Sequence, residues 1–196
     1  MLFLVDTKSP GLNCELLQTM AGDKQCEVKL DEVRVGREYV LSDLDQGWHV
    51  LEKVMAEAAV ANCAQMVGAA QRALDLTTAY VKERIQFNKP IGAFQAIQHH
   101  CANMLSYLET SRLITYKAAW MLSQNIPCTG EVAMAKAWVN QACTALTALA
   151  HQAHGGAGVI AEYDLPLYSR RMKQWEVMFG DTSFFLEKLA TEMGLP

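Results

Sequence analysis

The sequence predicts a mainly α-helical protein, an up-down four-helix-type bundle preceded by a short β segment. Three observations predict it. After Gln46-Gly47, the residues Trp48, Leu51, Met55, Val60, Cys63, Val67, Ala70, Leu74, Thr77 and Val81 recur in steps of three, four or five. That spacing is the apolar stripe of one long amphipathic helix. Upstream, Cys26, Val28 and Leu30 alternate with Glu27, Lys29 and Asp31, the period of a half-buried strand. Finally, Asn125-Ile126-Pro127 and Gly155-Gly156 are breakers that close helices between apolar runs.

In chain order, Leu2 to Val5 reads as a short apolar strand and Ser9-Pro10-Gly11 as a turn. Asp31-Glu32 breaks the alternation before Val33 and Val35 resume it, which marks a bulge or a strand end. Two or three strands without a second layer cannot bury an apolar face. Residues 1–44 therefore read as the end of a larger β domain, and residues 45–196 as the helical bundle. A first helix from Gly47 to about Arg84 would be roughly 57 Å long at 1.5 Å per residue, so it needs partners of similar length. Phe94 to Gln124 supplies one. Thr129 is placed to cap a third, with Glu131 in its first turn, running to His154. Asp164 to Val177 forms a shorter helix, and Thr182 caps a last one ending near Met193-Gly194. No internal repeat or low-complexity tract interrupts this order.

Composition narrows the function. Hydrophobic residues make up 51% of the 196 and charged ones 19%, a globular balance, and the net charge of -4 argues against a nucleic-acid groove, which needs clustered Lys and Arg. No apolar run approaches a membrane span. The six cysteines (Cys14, Cys26, Cys63, Cys101, Cys128 and Cys143) contain no Cys-x-x-Cys pair. Most fall at apolar positions, so they are expected to be buried free thiols in the cytoplasm or another reducing compartment.

The segment from Arg84 to His99 carries the most chemistry. Arg84 supplies a guanidinium fork for two phosphate oxygens, and Phe87 a stacking face, a pairing suited to a ligand with both a phosphate and a flat ring. A plain helix–Pro–helix connection with a solvated arginine explains the same residues. Other motifs fail on context. A di-iron bundle needs Glu-x-x-His, yet no acid stands three residues before His49, His99, His100, His151 or His154. His151-x-x-His154 alone makes no metal site, so none is expected. Gly156-Ala157-Gly158 mimics a dinucleotide fingerprint, but a helix precedes it where a strand is required. The glycines instead end the third helix and leave bare backbone amides where a ligand can approach. Glu162, Asp164, Arg170, Arg171 and Lys173 read as ion pairs around a helix start.

The pattern Arg84-x-x-Phe87-x-x-Pro90-Ile91-Gly92-x-Phe94-Gln95-x-Ile97-Gln98-His99 resembles the flavin-binding segment of acyl-CoA dehydrogenases. Val67 to Leu74 before it and Gln152 to Gly158 after it match the same family in order and spacing. The resemblance runs over nearly the whole chain. It implies the end of the family's middle β domain followed by its C-terminal helical domain. It implies FAD as cofactor, an acyl-CoA thioester as substrate of an α,β-desaturation, and an electron-transfer flavoprotein or similar acceptor. It further implies a homo- or hetero-oligomer, a dimer or tetramer, with each FAD held across a subunit interface. Carried over by position, Arg84 would meet the pyrophosphate, Phe87 the flavin nucleotide, and Gln95 the phosphates or ribose. Gln152, Gly155 and Gly156 would approach the adenosine side from a neighbouring subunit. Thr182 resembles a cofactor-contacting threonine, although Phe184 replaces the amide that usually follows it.

The catalytic base is where the chain departs from the family. The residue before the glycine of the loop ahead of the last helix, commonly glutamate, is Phe179. The alternative position on the first helix is Ala58, followed by Ala59 where an arginine is common. Asp181 and Glu57 remain as displaced carboxylates. Two further readings stay open: a non-catalytic, cofactor-clamping subunit of a heteromeric dehydrogenase, or a related flavin-dependent oxidase.

Overall fold

The computed structural model describes residues 1–195, so Pro196, the end of the expected bundle span, lies outside the described residues. The chain packs as two units, Met1–Met55 and Ala56 onward.

In the first unit, strands β1 (Leu12–Leu17) and β2 (Gln25–Leu30) form an antiparallel ribbon, with Cys14 opposite Val28 and Leu16 opposite Cys26. Because side chains alternate along a strand, these four residues share one face with Leu12 and Leu30. That face is open: Leu16, Val28 and Leu30 are all more than half exposed. The expected half-buried strand is therefore a strand without its second layer. Two other expectations are corrected. Leu2 to Val5 contributes only one isolated bridge, Phe3 to Val40. Val33 and Val35 form no strand, because Glu32 adopts φ +50° and turns the chain out of register.

The helical order follows the sequence pattern closely. Helix α1 spans Gly47–Glu83, α2 Gln95–Ser123, α3 Thr129–His154, α4 Leu165–Val177 and α5 Thr182–Glu192. In the second unit, one core cluster joins Cys63, Met66 and Leu74 of α1 to Met104 and Leu108 of α2, Val139 and Leu146 of α3, and Leu165 and Met172 of α4. A second joins Ala59 and Val60 of α1 to Ala118 and Met121 of α2, Val132 and Ala133 of α3, and Phe185 of α5. These contacts make α1 and α3 run in one direction with α2 between them reversed, the up-down arrangement.

Capping corrects two expectations. Thr129 is the first residue of α3 and Cys128 its N-cap, without a side-chain cap bond. Thr182 is likewise the first residue of α5. Its cap is Asp181, whose Oδ1 accepts the Phe184 amide at 2.8 Å. Aspartate at this position satisfies an orphan helix donor and meets the positive end of the helix dipole.

The cysteines divide. Cys63, Cys128 and Cys143 are buried, Cys101 is half-buried, and Cys14 and Cys26 are exposed on the open ribbon face; all six are free thiols.

Candidate functional site

The loop after α1 is a two-residue hairpin. Strands β3 (Ile85–Gln86) and β4 (Lys89–Pro90) pair antiparallel, with Phe87 and Asn88 between them at φ +52° and +62°. Two successive left-handed residues are what a tight hairpin turn demands, usually met by Asn-Gly. A phenylalanine there is strained, and it lies 86% exposed. Strain and apolar exposure at one residue mark a site built for something other than stability. Phe94 meets the Phe87 ring edge-on at 6.0 Å, and Lys89 Nζ sits 4.3 Å over the Phe94 ring.

Arg84 sits at the base of this hairpin. Its carbonyl accepts the Ile91 amide and its own amide bonds Tyr80, so the backbone is fixed. Its exposed guanidinium has no protein partner among the described residues. Gly92 packs the following turn onto α1: a Cβ there would lie 3.0 Å from the Val81 carbonyl oxygen. Gln98 Nε2 donates to the Gly92 carbonyl, while Gln95, at the start of α2, stays exposed. A groove of about 430 Å³ runs beside the hairpin, lined by Thr78, Val81, Lys82, Pro90, Ile97 and Cys101.

The second motif closes α3. Gly155 takes φ +57° and ψ -137°, a conformation that side-chain-bearing residues avoid. Among the described residues, no atom beyond the immediate chain neighbours lies within 4 Å of where a Cβ on Gly155 or Gly156 would stand, so their backbone is open to an approaching group. Gln152, one turn earlier, is exposed.

Tyr80 brings the two motifs to the same end of the bundle. Its ring stacks on His154 at 4.4 Å, and its hydroxyl donates to the His154 carbonyl at 3.4 Å. His154 Nδ1 faces the Ala150 carbonyl at 2.8 Å, and Nε2 faces the Tyr163 hydroxyl at 3.0 Å. A carbonyl only accepts, so Nδ1 carries the proton and Nε2 accepts from Tyr163. Burial pushes the His154 pKa down, partly opposed by the Ala150 bond, and the ring is neutral. His151 is held by Ser169 Oγ at 2.9 Å.

Asp181, Thr182 and Glu57 stand elsewhere. The α5 start packs beside Ala133, and Ala59 and Val60 of α1 join the same cluster. Along α3, Ala133 and His154 are 21 residues apart, about 31 Å at 1.5 Å per residue. One copy of the chain therefore does not gather Thr182 with Arg84 or Gly156. Phe179 adopts φ +60° and packs against the core cluster around Phe185. The expected ion pairs at the start of α4 are replaced by others: Lys173 pairs with Glu176 at 2.7 Å, and Arg170 Nε donates to the Pro166 carbonyl. Their common cause is helix spacing, which puts partners three or four residues apart.

Residues 45–194 match the profile of the acyl-CoA dehydrogenase C-terminal domain. The chain belongs to the acyl-CoA dehydrogenase family. A probable acyl-CoA dehydrogenase of Bacillus subtilis, YngJ, is 35% identical over 90% of this chain and 47% of its own length. A subunit of the caffeyl-CoA reductase-Etf complex of Acetobacterium woodii, CarC, is 33% identical over 91% of the chain and 48% of its own. Butyryl-CoA dehydrogenase from Megasphaera elsdenii superposes with a TM-score of 0.93 at 26% identity, covering 97% of this chain and 51% of that one. PigA with FAD and proline superposes at 0.94 and 26% identity, covering 98% and 51%. The chain thus spans about half the length of the relatives it matches.

Proposed function

We propose that this chain is the C-terminal part of an FAD-dependent acyl-CoA dehydrogenase, catalysing α,β-desaturation of an acyl-CoA thioester, with residues 1–44 completing a β domain and 45–196 forming the bundle. The observation that carries the reading is the hairpin: an unpaired guanidinium at its base and an exposed, strained aromatic at its tip. These donors fit FAD. Arg84 offers a bidentate cation to the pyrophosphate, Phe87 a face to the flavin nucleotide, and Gln95 an amide to the phosphates or ribose. Gln152 and the open amides of Gly155 and Gly156 suit the adenosine side.

FAD, when bound, would accept the hydride leaving the substrate β-carbon. The chain's own contribution is to hold and orient the cofactor. Because the start of α5 packs beside Ala133, about 31 Å along α3 from the Gly155 end, one cofactor reaches both sets of residues most simply across two copies. An oligomer therefore belongs to the reading, as does an external acceptor such as an electron-transfer flavoprotein.

A second reading, a cofactor-clamping subunit without its own base, is favoured by one observation. Phe179 and Ala58 occupy the positions where a carboxylate is expected. One experiment tests both readings. The purified assembly should carry flavin, and acyl-CoA should bleach its visible absorption. A colourless assembly that takes up no added FAD would overturn the cofactor reading; a yellow one that never bleaches would favour the clamping subunit.

A further inference from the structure

Among the described residues, Lys136 is the one fully buried lysine. It lies on the apolar stripe of α3, between Val132 and Ala133 on one side and Val139 and Cys143 on the other. Its ammonium must therefore find partners inside the bundle. Nζ donates to Asn140 Oδ1 at 2.6 Å and to the Trp175 carbonyl at 2.9 Å. Trp175 belongs to the last turn of α4, where carbonyls have no partner within the helix. A cation there also meets the negative end of the helix dipole.

The loop after α4 needs such an anchor. Phe179 and Gly180 are both left-handed, at φ +60° and +120°, and Asp181 then caps α5. At Gly180 a Cβ would collide with the Phe184 and Phe185 rings. The loop thus reverses direction in a conformation that would not hold by local preference. Its start is set by where α4 stops. The groups in electrostatic reach of the ammonium are the Cys63 thiol on α1, Glu176 on α4 and Asp181 in the loop. Glu176 is itself engaged by Lys173, so Lys136 is held by dipoles rather than by a direct ion pair.

We propose that Lys136 is a positioning residue, which ties the end of α4 to the core of α3 and so places the 178–181 loop and the Asp181–Thr182 start of α5. Its bearing on catalysis rests on the proposed flavin chemistry; its effect on the loop does not. A methionine would fill the same space but would leave Asn140 Oδ1 and the Trp175 carbonyl without their donor. The lysine persists although burial lowers its pKa from 10.5 to about 8, against the opposing pull of the Glu176 and Asp181 carboxylates.

Hydrogen exchange on the full chain tests this without any flavin. Lys136→Met should speed exchange of the amides from Glu176 to Phe185 by roughly tenfold or more, with the α2 amides unchanged. Unchanged exchange in the loop would overturn the proposal. A uniform rise through α1, α2 and α3 would also overturn it, because Lys136 would then be an ordinary core residue. A second measurement needs no variant. In the unmutated chain, the Met178 and Phe184 amide resonances should shift together as Lys136 titrates, below the ordinary lysine range because burial disfavours its charge. If those resonances stay still across the whole titration of Lys136, the ammonium does not reach the loop and the proposal falls.

Discussion

The Tyr80 ring stacks on His154 with centroids 4.4 Å apart and planes 23° from parallel, and this contact ties the helix that leads into Arg84 to the helix that leads into Gly155. His154 serves there as a neutral ring: it donates from Nδ1 to Ala150 and accepts at Nε2 from Tyr163. Protonation would replace that acceptor with a second donor facing a hydroxyl and put a charge in a buried site.

The pH dependence has a definite sign. The folded pKa of His154 is lowered by burial, so the native state binds fewer protons than the unfolded one. The stability this contributes is present above the unfolded value of about 6.5 and is lost as pH falls through it toward the folded value. Chemical denaturation at pH 7.5 and 5.5 should show the unmutated chain losing more stability than His154→Gln. Equal losses would mean that other groups, His151 included, account for the acid sensitivity.

A second prediction concerns the hairpin. Arg84→Ala should weaken FAD binding in the assembled protein by roughly ten- to a hundredfold, since a charge-assisted bond typically contributes about 1.5–3 kcal/mol. Phe87→Asn should act oppositely on two measurements. Asparagine tolerates the left-handed turn, so thermal stability should rise by about 1 kcal/mol, while the loss of the aromatic face weakens FAD. Fluorescence titration and thermal melts check the pair. Should both variants bind FAD with unchanged affinity, the hairpin has no cofactor role.

The helices were legible because their causes are local and periodic. The stripe from Trp48 to Val81 and the breakers at Pro127 and Gly155 needed no tertiary information, and the observed helix ends fall within a residue or two of those expected. The caps were less legible. Asp181 and Thr182 are adjacent and both are good cap residues, and only the direction of the preceding left-handed loop decides between them. The cysteines of the β ribbon were misplaced because alternation reveals which residues share a face, not whether a second layer covers it. Tyr80 lies 74 residues before His154, and nothing local joins it to His154 and Tyr163. Lys136 did leave a signal: a lysine in the middle of an apolar helical stripe.

A third prediction uses the thiols. Burial pushes the pKa values of Cys63 and Cys143 up to about 12, so neither supplies thiolate at neutral pH, whereas Cys14 and Cys26 lie open on the ribbon. A thiol reagent at pH 7.5 should label Cys14 and Cys26 quickly, Cys101 and Cys128 slowly, and Cys63 and Cys143 only after unfolding. Rapid labelling of Cys63 or Cys143 would show that the bundle core opens far more readily than its packing implies.

The last prediction separates the two displaced carboxylates. Asp181 Oδ1 is committed to the Phe184 amide, and its charge meets the start of α5, so the carboxylate is oriented by its role in holding the helix. Glu57 is exposed on α1, without an ion pair among the described residues, at the end of the bundle where Ala59 and Val60 pack near α5. A general base needs a free oxygen within reach of the proton it takes. Asparagine caps a helix as well as aspartate does, so Asp181→Asn should keep both stability and the rate of flavin reduction by acyl-CoA. Asp181→Ala should instead lose about 1 kcal/mol of stability through the missing cap. Glu57→Gln is the variant expected to slow flavin reduction, by roughly a hundredfold or more if its carboxylate takes the α-proton. Stopped-flow reduction of the assembled flavoprotein measures all three. A normal rate in Glu57→Gln would place the base outside this pair, and a slow Asp181→Asn with unchanged stability would reverse the two roles.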